Sequence, residues 1–496
     1  MSTRPDMQRF HRSAAPAGPL ARQGQRPAKR QLPKSTWYLL ALAPLFFGAL
    51  ILSGQQLGFT FMLVVVYAGC LGFSFTTFEN ALYIFAFAIP MEQAFYWYAG
   101  ARYSILGYLI LAVMGIWIIL HGRSQKESPI SDNEFLVIAW LAWSGLSLLW
   151  TIDFTMGTGI LLSNIGGFAV LYLFSRGFKN VDQIRRCCWF YMTGTTLITL
   201  VILPYYQTNS AFTRVNGRLI PSALGLGFGF SPHEVSRTLA ISMICALMLW
   251  QYETTAFKRR AGMVLALYFG VLVPLCLSRG TVLAQAAGLL AWATLKGGNV
   301  KIKAQLKKFI TMLLLVGSIV LLVSYINQEA TMTRVEEGTK EYERGETKEF
   351  TTGRSKMWGV AWSLALENPV LGFGVGSFPK MYSERTGDVL RATHSEFLKD
   401  LAEIGFTGLL LLCSWVFRFG RIAIRIKTPR QVTFAWWIIF ALIICTHDIW
   451  RAKDFWMTMG FIVTFARFEE DAKQRRALAP IPPRKRLHGE VPHLST

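Results

Sequence analysis

Apolar runs separated by short polar stretches make up most of the chain between residues 37 and 466. Runs of this length are typical of helices that cross a bilayer. The pattern therefore predicts an all-α, polytopic membrane protein whose membrane domain, 37–467, contains roughly twelve to fourteen transmembrane helices, with fourteen favoured. The predicted spans are 37–53, 57–73, 78–90, 104–120, 134–150, 156–174, 187–203, 235–250, 261–277, 281–295, 309–326, 397–417, 433–446 and 455–466.

Two basic tails flank this domain, and one long polar interruption divides it. The tails are 1–36 and 468–496, and the first is rich in Pro, Arg and Gln, a composition typical of disorder. The interruption, 327–396, is predicted to be one large loop on the outer side of the membrane. Its last residues run directly into the apolar stretch 397–417.

The second half of that loop contains a short amphipathic helix and a glycine-rich turn. After Arg354, apolar residues recur at spacings of three and four, which predicts one buried helix face. That face consists of Met357, Trp358, Ala361, Trp362 and Ala365. Asn368 and Pro369 end the helix. The following GFGVGSF is interpreted as a turn rather than a phosphate loop, because no strand precedes it and no clear helix follows.

Composition excludes a string of soluble domains, and the positions of the charges exclude nucleic acid as a partner. Hydrophobic residues form 52% of the chain and charged residues 16%, and the mean hydropathy is +0.36. The formal net charge of +22 lies mainly in alternate short loops and in both tails. Lys and Arg concentrate on the cytoplasmic side, so both termini are predicted to be cytoplasmic. The seven cysteines form no CxxC pair, and neither disulfides nor zinc is expected.

Four of the arginines on the predicted outer side, where such residues run against the usual charge bias, are candidates for binding phosphate. They are Arg214, Arg218, Arg279 and Arg354. A guanidinium group binds phosphate through two parallel hydrogen bonds and stays charged when partly desolvated. Each has a simpler alternative: Arg279 can extend to lipid headgroups, and Arg354 can be a solvated residue before a helix. Arg214 and Arg218 are not both expected to be functional.

His394 is the strongest candidate for acid–base chemistry. A neutral imidazole accepts a proton near physiological pH, and the predicted place at a helix N-terminus would disfavour the imidazolium. The alternative is that His394 only caps that helix. His233 is interpreted as structural, and His447 with Asp448 as a less favoured second polar site.

The order of these features resembles the O-antigen ligase family. The resemblance lies in SRG after a span, GRxxxW in the outer loop, ENPVLGFGVGSF, and HSEFLKDLAEIGFTGLLLL, and it covers about 230–412. This superfamily comprises O-antigen ligases, O-antigen polymerases and exopolysaccharide polymerases. The resemblance implies a multi-pass enzyme of the bacterial inner membrane, with its active site on the periplasmic side and no cofactor. Ser395 departs from the family pattern, in which Asn commonly follows the histidine.

The resemblance also implies a reaction and residue roles. The donor would be an undecaprenyl-diphosphate-linked glycan, and the acceptor would be a glycan or lipid A-core. The surrounding membrane lipids would be the other partners. Arg279 and Arg354, with one of Arg214 and Arg218, would bind the diphosphate, and His394 would be the catalytic base. The sequence shows no feature that requires a metal, and direct displacement would invert the anomeric configuration.

Two other classes of protein stay open at this stage. A transporter or lipid-linked glycan flippase would also have many spans, but it would usually show ionisable residues or broken helices at the membrane midplane. A membrane scaffold would need no arginines grouped with a histidine. Within the enzyme class, the sequence does not separate ligase from polymerase.

Overall fold

The protein is described by a computed structural model that covers most of the predicted membrane domain. The described residues are 68–95, 110–117, 132–207, 212–215, 218–221, 232–276, 278–295, 354–388, 392–447 and 452–478. The predicted tail 1–36, the spans 37–53 and 309–326, and the loop from 327 to 353 lie outside them. The labelled elements below belong to one compact unit, Gly69–Thr496.

The described elements are helical apart from one small hairpin, which confirms the all-α class. The first helices are α1 (Phe78–Phe95), α2 (Asp132–Leu146), α3 (Phe154–Gly177), α4 (Val181–Gln207), α5 (Pro232–Tyr252), α6 (Ala256–Leu275) and α7 (Arg279–Thr294). The later helices are α8 (Arg354–Glu367), α9 (Phe378–Thr386), α10 (Glu396–Glu403), α11 (Gly405–Arg425), α12 (Arg430–Ile444) and α13 (Lys453–Leu478). Strands β1 (Phe212–Val215) and β2 (Arg218–Pro221) form the hairpin between α4 and α5.

Among the described residues, three helices are long and apolar enough to cross a membrane. They are Phe154–Gly177, His233–Tyr252 and Gly405–Arg425. Asn133–Leu149 and Arg430–Ile444 are apolar but shorter. Helix α13 continues to Leu478, so the predicted tail 468–496 begins as helix.

Short connections join neighbouring helices, and several of them are basic. The connections 178–180, 253–255 and 426–429 carry or adjoin the basic residues Lys179, Lys258 and Arg430. The connection 147–153, between α2 and α3, contains no Lys or Arg. Residues 372–377 pack on this connection.

Helices α3 and α13 pack closely against each other at two glycines. A side chain at Gly167 would meet the ring of Trp456 at 2.2 Å, and one at Gly460 would meet Phe174 at 2.6 Å. Small residues are typical of such helix pairs in membranes, because dispersion contacts there depend on close approach. The fully buried Trp415 stacks on Trp456 and joins α11 to this core.

The predicted span 397–417 is wrong, because the chain breaks between two helices there. Helix α10 ends at Glu403, and α11 begins at Gly405, whose φ of 70° is the left-handed conformation that favours glycine. Helix α10 carries four buried ionisable residues, Glu396, Lys399, Asp400 and Glu403, which are packed among protein groups. A continuous span would place several of these groups in lipid at high cost.

The hairpin between α4 and α5 was not predicted. Arg214 pairs with Leu219, and Arg218 pairs with Val215. Directly paired positions share one face of a hairpin, and successive positions alternate. The register therefore assigns positions 214 and 218 to opposite faces of the hairpin.

Candidate active site

Residues 354–403 form the polar segment. One apolar face of its first helix, α8, packs against the rest of the segment. Met357, Ala361 and Leu364 are buried against Phe378, Tyr382 and Ala402. Helix α8 begins at Arg354 and ends at Glu367, before Asn368 and Pro369, as predicted. Trp362, expected on the buried face, is instead 54% exposed.

The glycine loop, residues 372–377, is held by a carboxylate of its own chain. Glu403 accepts hydrogen bonds from the backbone N–H of Gly376 at 2.9 Å and from that of Phe378 at 3.2 Å. The backbone N–H of Gly374 donates to the carbonyl of Glu403 at 2.6 Å. These donors are the groups that a phosphate loop would offer to a ligand, and Glu403 occupies them. The interpretation as a turn is confirmed, although a helix, α9, does follow it.

The same loop packs on the connection between α2 and α3. Thr151 donates a hydrogen bond to the carbonyl of Val375 at 2.8 Å, and the backbone N–H of Val375 donates to Ser147 at 3.0 Å. Gly374 has a φ of 91°, and a side chain there would approach Thr151 to 2.3 Å. The loop therefore needs glycine for both conformation and space, and it fixes the polar segment on the helix ends.

His394 lies in the turn before α10 and does not cap that helix. The N-cap is Ser395, whose side chain accepts a hydrogen bond from the backbone N–H of Leu398. The indole of Trp358 donates to the carbonyl of Thr393 at 3.1 Å and so ties α8 to the residue before His394. His394 has a φ of 52°, an uncommon conformation outside glycine that marks a functional constraint in many sites. His394 was expected to be the first residue of the helix end, but it lies one position before the N-cap.

Helix α10 buries a cluster of ionisable groups beneath this turn. Glu396, considered as an alternative base, is completely buried and paired with Lys399. The indole of Trp140 donates to Asp400 at 2.7 Å. Burial, with a smaller contribution from Glu396, holds the pKa of Asp400 well above its ordinary value, and burial raises that of Glu403 to about 7. The bond from Trp140 links this cluster to α2. Because Glu396 is buried and paired, its carboxylate is not accessible to a substrate.

A second polar cluster joins the N-terminal ends of α5 and α7 to the C-terminal end of α12. His233 Nδ1 and the hydroxyl of Ser278 are 2.9 Å apart, and the hydroxyls of Ser278 and Thr281 are 3.0 Å apart. The ring of His447, just beyond α12, meets the ring of His233 edge-on with centroids 4.7 Å apart. The helices come close at Gly280, where a side chain would approach the hydroxyl of Thr446 to 2.7 Å.

Charged residues of the polar segment, as well as those near this cluster, act on His447. Burial, followed by the charges of Arg354, Arg237 and His394, lowers the pKa of His447 to about 3. Arg354 and His394 therefore lie within electrostatic reach of His447. Both residues are far from His447 along the chain, so the fold brings their charges within range of it.

Arg279 occupies the first position of α7, directly after its N-cap, Ser278, and its side chain is exposed. Through Ser278 it adjoins the histidine cluster. Arg354 is the first described residue of α8. Positive side chains are disfavoured at helix N-termini, whereas anions are favoured there. The position of Arg279 therefore favours an anion beside it. Arg214 and Arg218 lie on β1 and β2, between α4 and α5.

Sequence reasoning missed a buried ion pair at the same end of the helices. The Nε of Arg237 donates to both carboxylate oxygens of Asp454 at 3.1 Å, and Thr238 also contacts that carboxylate. Arg237 was hidden within an apolar run, and Asp454 was expected only as the flank of a span. The available signal was an arginine and an aspartate that each lie within two turns of a predicted outer helix end. His447 had a signal too, the His-Asp pair at the end of a span, but it was given less weight than His394.

The comparison with protein families covers this same part of the chain. Residues 261–413 match the family described as O-antigen ligase. This region of the chain is similar to O-antigen ligases. The predicted resemblance to the O-antigen ligase and polymerase superfamily is thereby confirmed. The matched region runs from α6 into α11 and contains Arg279, Arg354 and His394. His233, Arg237 and His447 lie outside the matched residues but contact or influence it. No curated protein matches the chain.

Proposed function

We propose that this O-antigen ligase-family membrane protein is a glycosyltransferase that transfers a glycan from undecaprenyl diphosphate to an acceptor hydroxyl. The reaction would take place on the periplasmic side of the bacterial inner membrane, with both chain termini in the cytoplasm. The observation that carries the proposal is the family match, which spans Arg279, Arg354 and His394. The charges of Arg354 and His394, which both lower the pKa of His447, support it.

In the proposed reaction His394 is the general base. It takes the proton from the acceptor hydroxyl as the oxygen attacks the anomeric carbon of the donor. The bond between that carbon and the diphosphate oxygen breaks, and undecaprenyl diphosphate leaves with the bonding electron pair. A single displacement of this kind inverts the configuration at the anomeric carbon and needs no metal or cofactor.

Arg279 and Arg354 would stabilise the negative charge that develops on the leaving diphosphate. Preorganised donors aimed at developing charge supply a large part of many rate enhancements. Arg279 begins α7, so backbone N–H groups of that helix would reinforce it. One of Arg214 and Arg218 would complete the diphosphate site, and the hairpin register permits only one of them on a given face.

Among the described residues, the buried ion pair does not favour a transporter or flippase. Arg237 lies in the second turn of α5, and Asp454 lies in the first turn of α13. The pair is therefore near the outer ends of two helices rather than at the midplane, where coupling sites of transporters lie.

The direct test uses purified protein in vesicles that contain an undecaprenyl-diphosphate-linked glycan and a candidate acceptor. We expect the wild-type protein to release undecaprenyl diphosphate without nucleotide or an ion gradient, and His394→Asn not to do so. Movement of intact donor across the bilayer without product would instead establish a flippase. Ligase and polymerase are then separated by the products of a deletion strain: loss of capped core, of long chains, or of secreted polysaccharide.

A further inference from the structure

His447 is a buried histidine that the reaction above does not use. It follows α12, is 7% exposed, and packs edge-on against His233. Its Nδ1 lies 2.8 Å from the hydroxyl of Thr446. That hydroxyl has a single proton, which it directs to the carbonyl of Ile443 at 3.3 Å. With the hydroxyl proton so directed, the Thr446 oxygen is an acceptor for His447, and we assign the ring proton to Nδ1 on this network. The Ile443 carbonyl also raises the pKa of His447, as an acceptor of its N–H would.

The other ring nitrogen, Nε2, is buried and has no hydrogen-bond partner among the described residues. With the proton on Nδ1, Nε2 carries a bare lone pair and can only accept. Buried polar atoms are nearly always paired, so an unpaired one inside a candidate site indicates the place of a ligand group. The group that fits must carry an O–H or N–H donor.

The neighbours of His447 restrict that donor further. Arg237 and His233 face it from α5, Arg354 from α8, and His394 from the turn before α10. The hydroxyls of Ser278 and Thr281 follow from α7, and the carboxylate of Asp454 is held by Arg237. A cationic ligand group would be repelled by these charges, so the donor is neutral. Because the pKa of His447 is lowered to about 3, its lone pair is present throughout the physiological pH range.

We propose that His447 Nε2 accepts a hydrogen bond from a hydroxyl or amide N–H of the sugar that is bonded directly to the donor diphosphate. This inference rests on the proposed function. Arginines bind the phosphates, and a bare imidazole nitrogen beside Arg354 meets the first group on the sugar side of them. His447 thus becomes a binding residue that recognises the sugar, distinct from the proton transfer at His394.

The test compares two lipids, undecaprenyl diphosphate and the undecaprenyl-diphosphate-linked glycan isolated from cells that lack this protein. Binding of each to purified protein in nanodiscs is measured for the wild type, His447→Phe and His447→Gln. The Phe variant keeps a ring against His233 but removes the acceptor, whereas Gln retains an accepting oxygen. Cys445→Ala, an exposed position in the same turn, is the matched control.

We expect His447→Phe to weaken binding of the glycan-bearing lipid about tenfold and to leave binding of undecaprenyl diphosphate unchanged. His447→Gln should recover part of the loss, and Cys445→Ala should behave as the wild type. Equal weakening of both lipids, or no weakening of either, would overturn the inference. If His447→Phe does not fold, His447→Gln and His447→Met, which are similar in length, give the same comparison.

The outcome also separates this inference from the proposed function. If the wild type binds undecaprenyl diphosphate and its glycan-bearing form with equal affinity and transfers no glycan, the proposed function itself fails. If the wild type transfers glycan and His447→Phe retains its preference for the glycan-bearing lipid, only the role of His447 fails.

Discussion

The carboxylate of Glu403 accepts the backbone N–H of Gly376 at 2.9 Å, which joins the end of α10 to the glycine loop. A second bond from Phe378 completes the link. Glu403→Ala leaves two buried N–H groups without acceptors, at a cost of about 1–3 kcal/mol each. We expect faster proteolysis within residues 354–403 and a lower unfolding temperature. Glu384→Ala, an exposed glutamate on α9, is the control; equal behaviour of the two variants would contradict the link.

Glu403 also predicts a pH dependence. Burial raises its pKa from an ordinary 4.5 to about 7, so the folded protein holds a proton that the unfolded chain releases. The stability of the polar segment should therefore fall as pH rises from about 4.5 to about 7, by about 3 kcal/mol. Hydrogen exchange of residues 372–386, corrected for the intrinsic rate, measures it.

The control for that measurement is Glu403→Gln, because His447 acts in the opposite direction. A histidine whose pKa is lowered from 6.5 to about 3 makes stability rise with pH over that interval. The two effects overlap between about pH 4.5 and 6.5, so the difference between wild type and Glu403→Gln is the informative quantity. A difference that does not change with pH would show that Glu403 titrates normally.

His394→Asn should abolish most turnover while preserving the fold. Asparagine tolerates the positive φ at this position better than most residues, so the turn before α10 should keep its conformation. Removal of a positioned base lowers the rate by about 10²–10⁴-fold. The measurement is glycan transfer in vesicles with a defined donor, together with donor binding, which should persist.

Ser395→Ala is the matched control for His394, because the capping role belongs to Ser395. It should lose about 1 kcal/mol of stability and retain most of the activity per folded molecule. The reverse result, an active His394→Asn and an inactive Ser395→Ala, would assign the importance of this turn to its structure.

Arg279→Ala should reduce turnover by about 10²–10³-fold without lowering the unfolding temperature. The side chain is exposed at the first position of α7, where a positive charge is unfavourable for the helix. Arg279→Lys should also be impaired, because an ammonium cannot make two parallel hydrogen bonds to a phosphate. Normal turnover of Arg279→Ala at equal expression would reduce Arg279 to a contact with lipid headgroups.

Sidedness can be tested with single cysteines in a background without the native seven. Arg259→Cys, beside a basic connection, should be protected from an impermeant reagent added to intact cells. Glu384→Cys, exposed on α9 in the polar segment, should be labelled. The opposite pattern would place the proposed active site in the cytoplasm and remove the periplasmic donor from the mechanism.

The sequence predicted the helices well because apolar runs and charged connections are local signals. Helix α8 and its end at Asn368 followed from spacing and proline alone. The break before Gly405 was missed because four ionisable residues of α10 are buried by contacts with distant parts of the chain, such as Asp400 with Trp140. His394 and Arg354 were proposed from their chemistry and their places in the predicted loop, with support from the resemblance, whereas the influence of both on His447 depends on tertiary packing that no local pattern encodes.

Gly280, between Arg279 and Thr281, has a consequence for substrate selectivity. Its missing side chain lets the start of α7 lie against Thr446, the residue before His447. The close approach of α7 to Thr446 therefore depends on the missing side chain at residue 280. Replacement of Gly280 by alanine would push the start of α7 away from Thr446 while leaving every proposed reactive group present. Under the proposed role of His447, the expected phenotype is a change in which glycans are accepted, with an unchanged chemical mechanism.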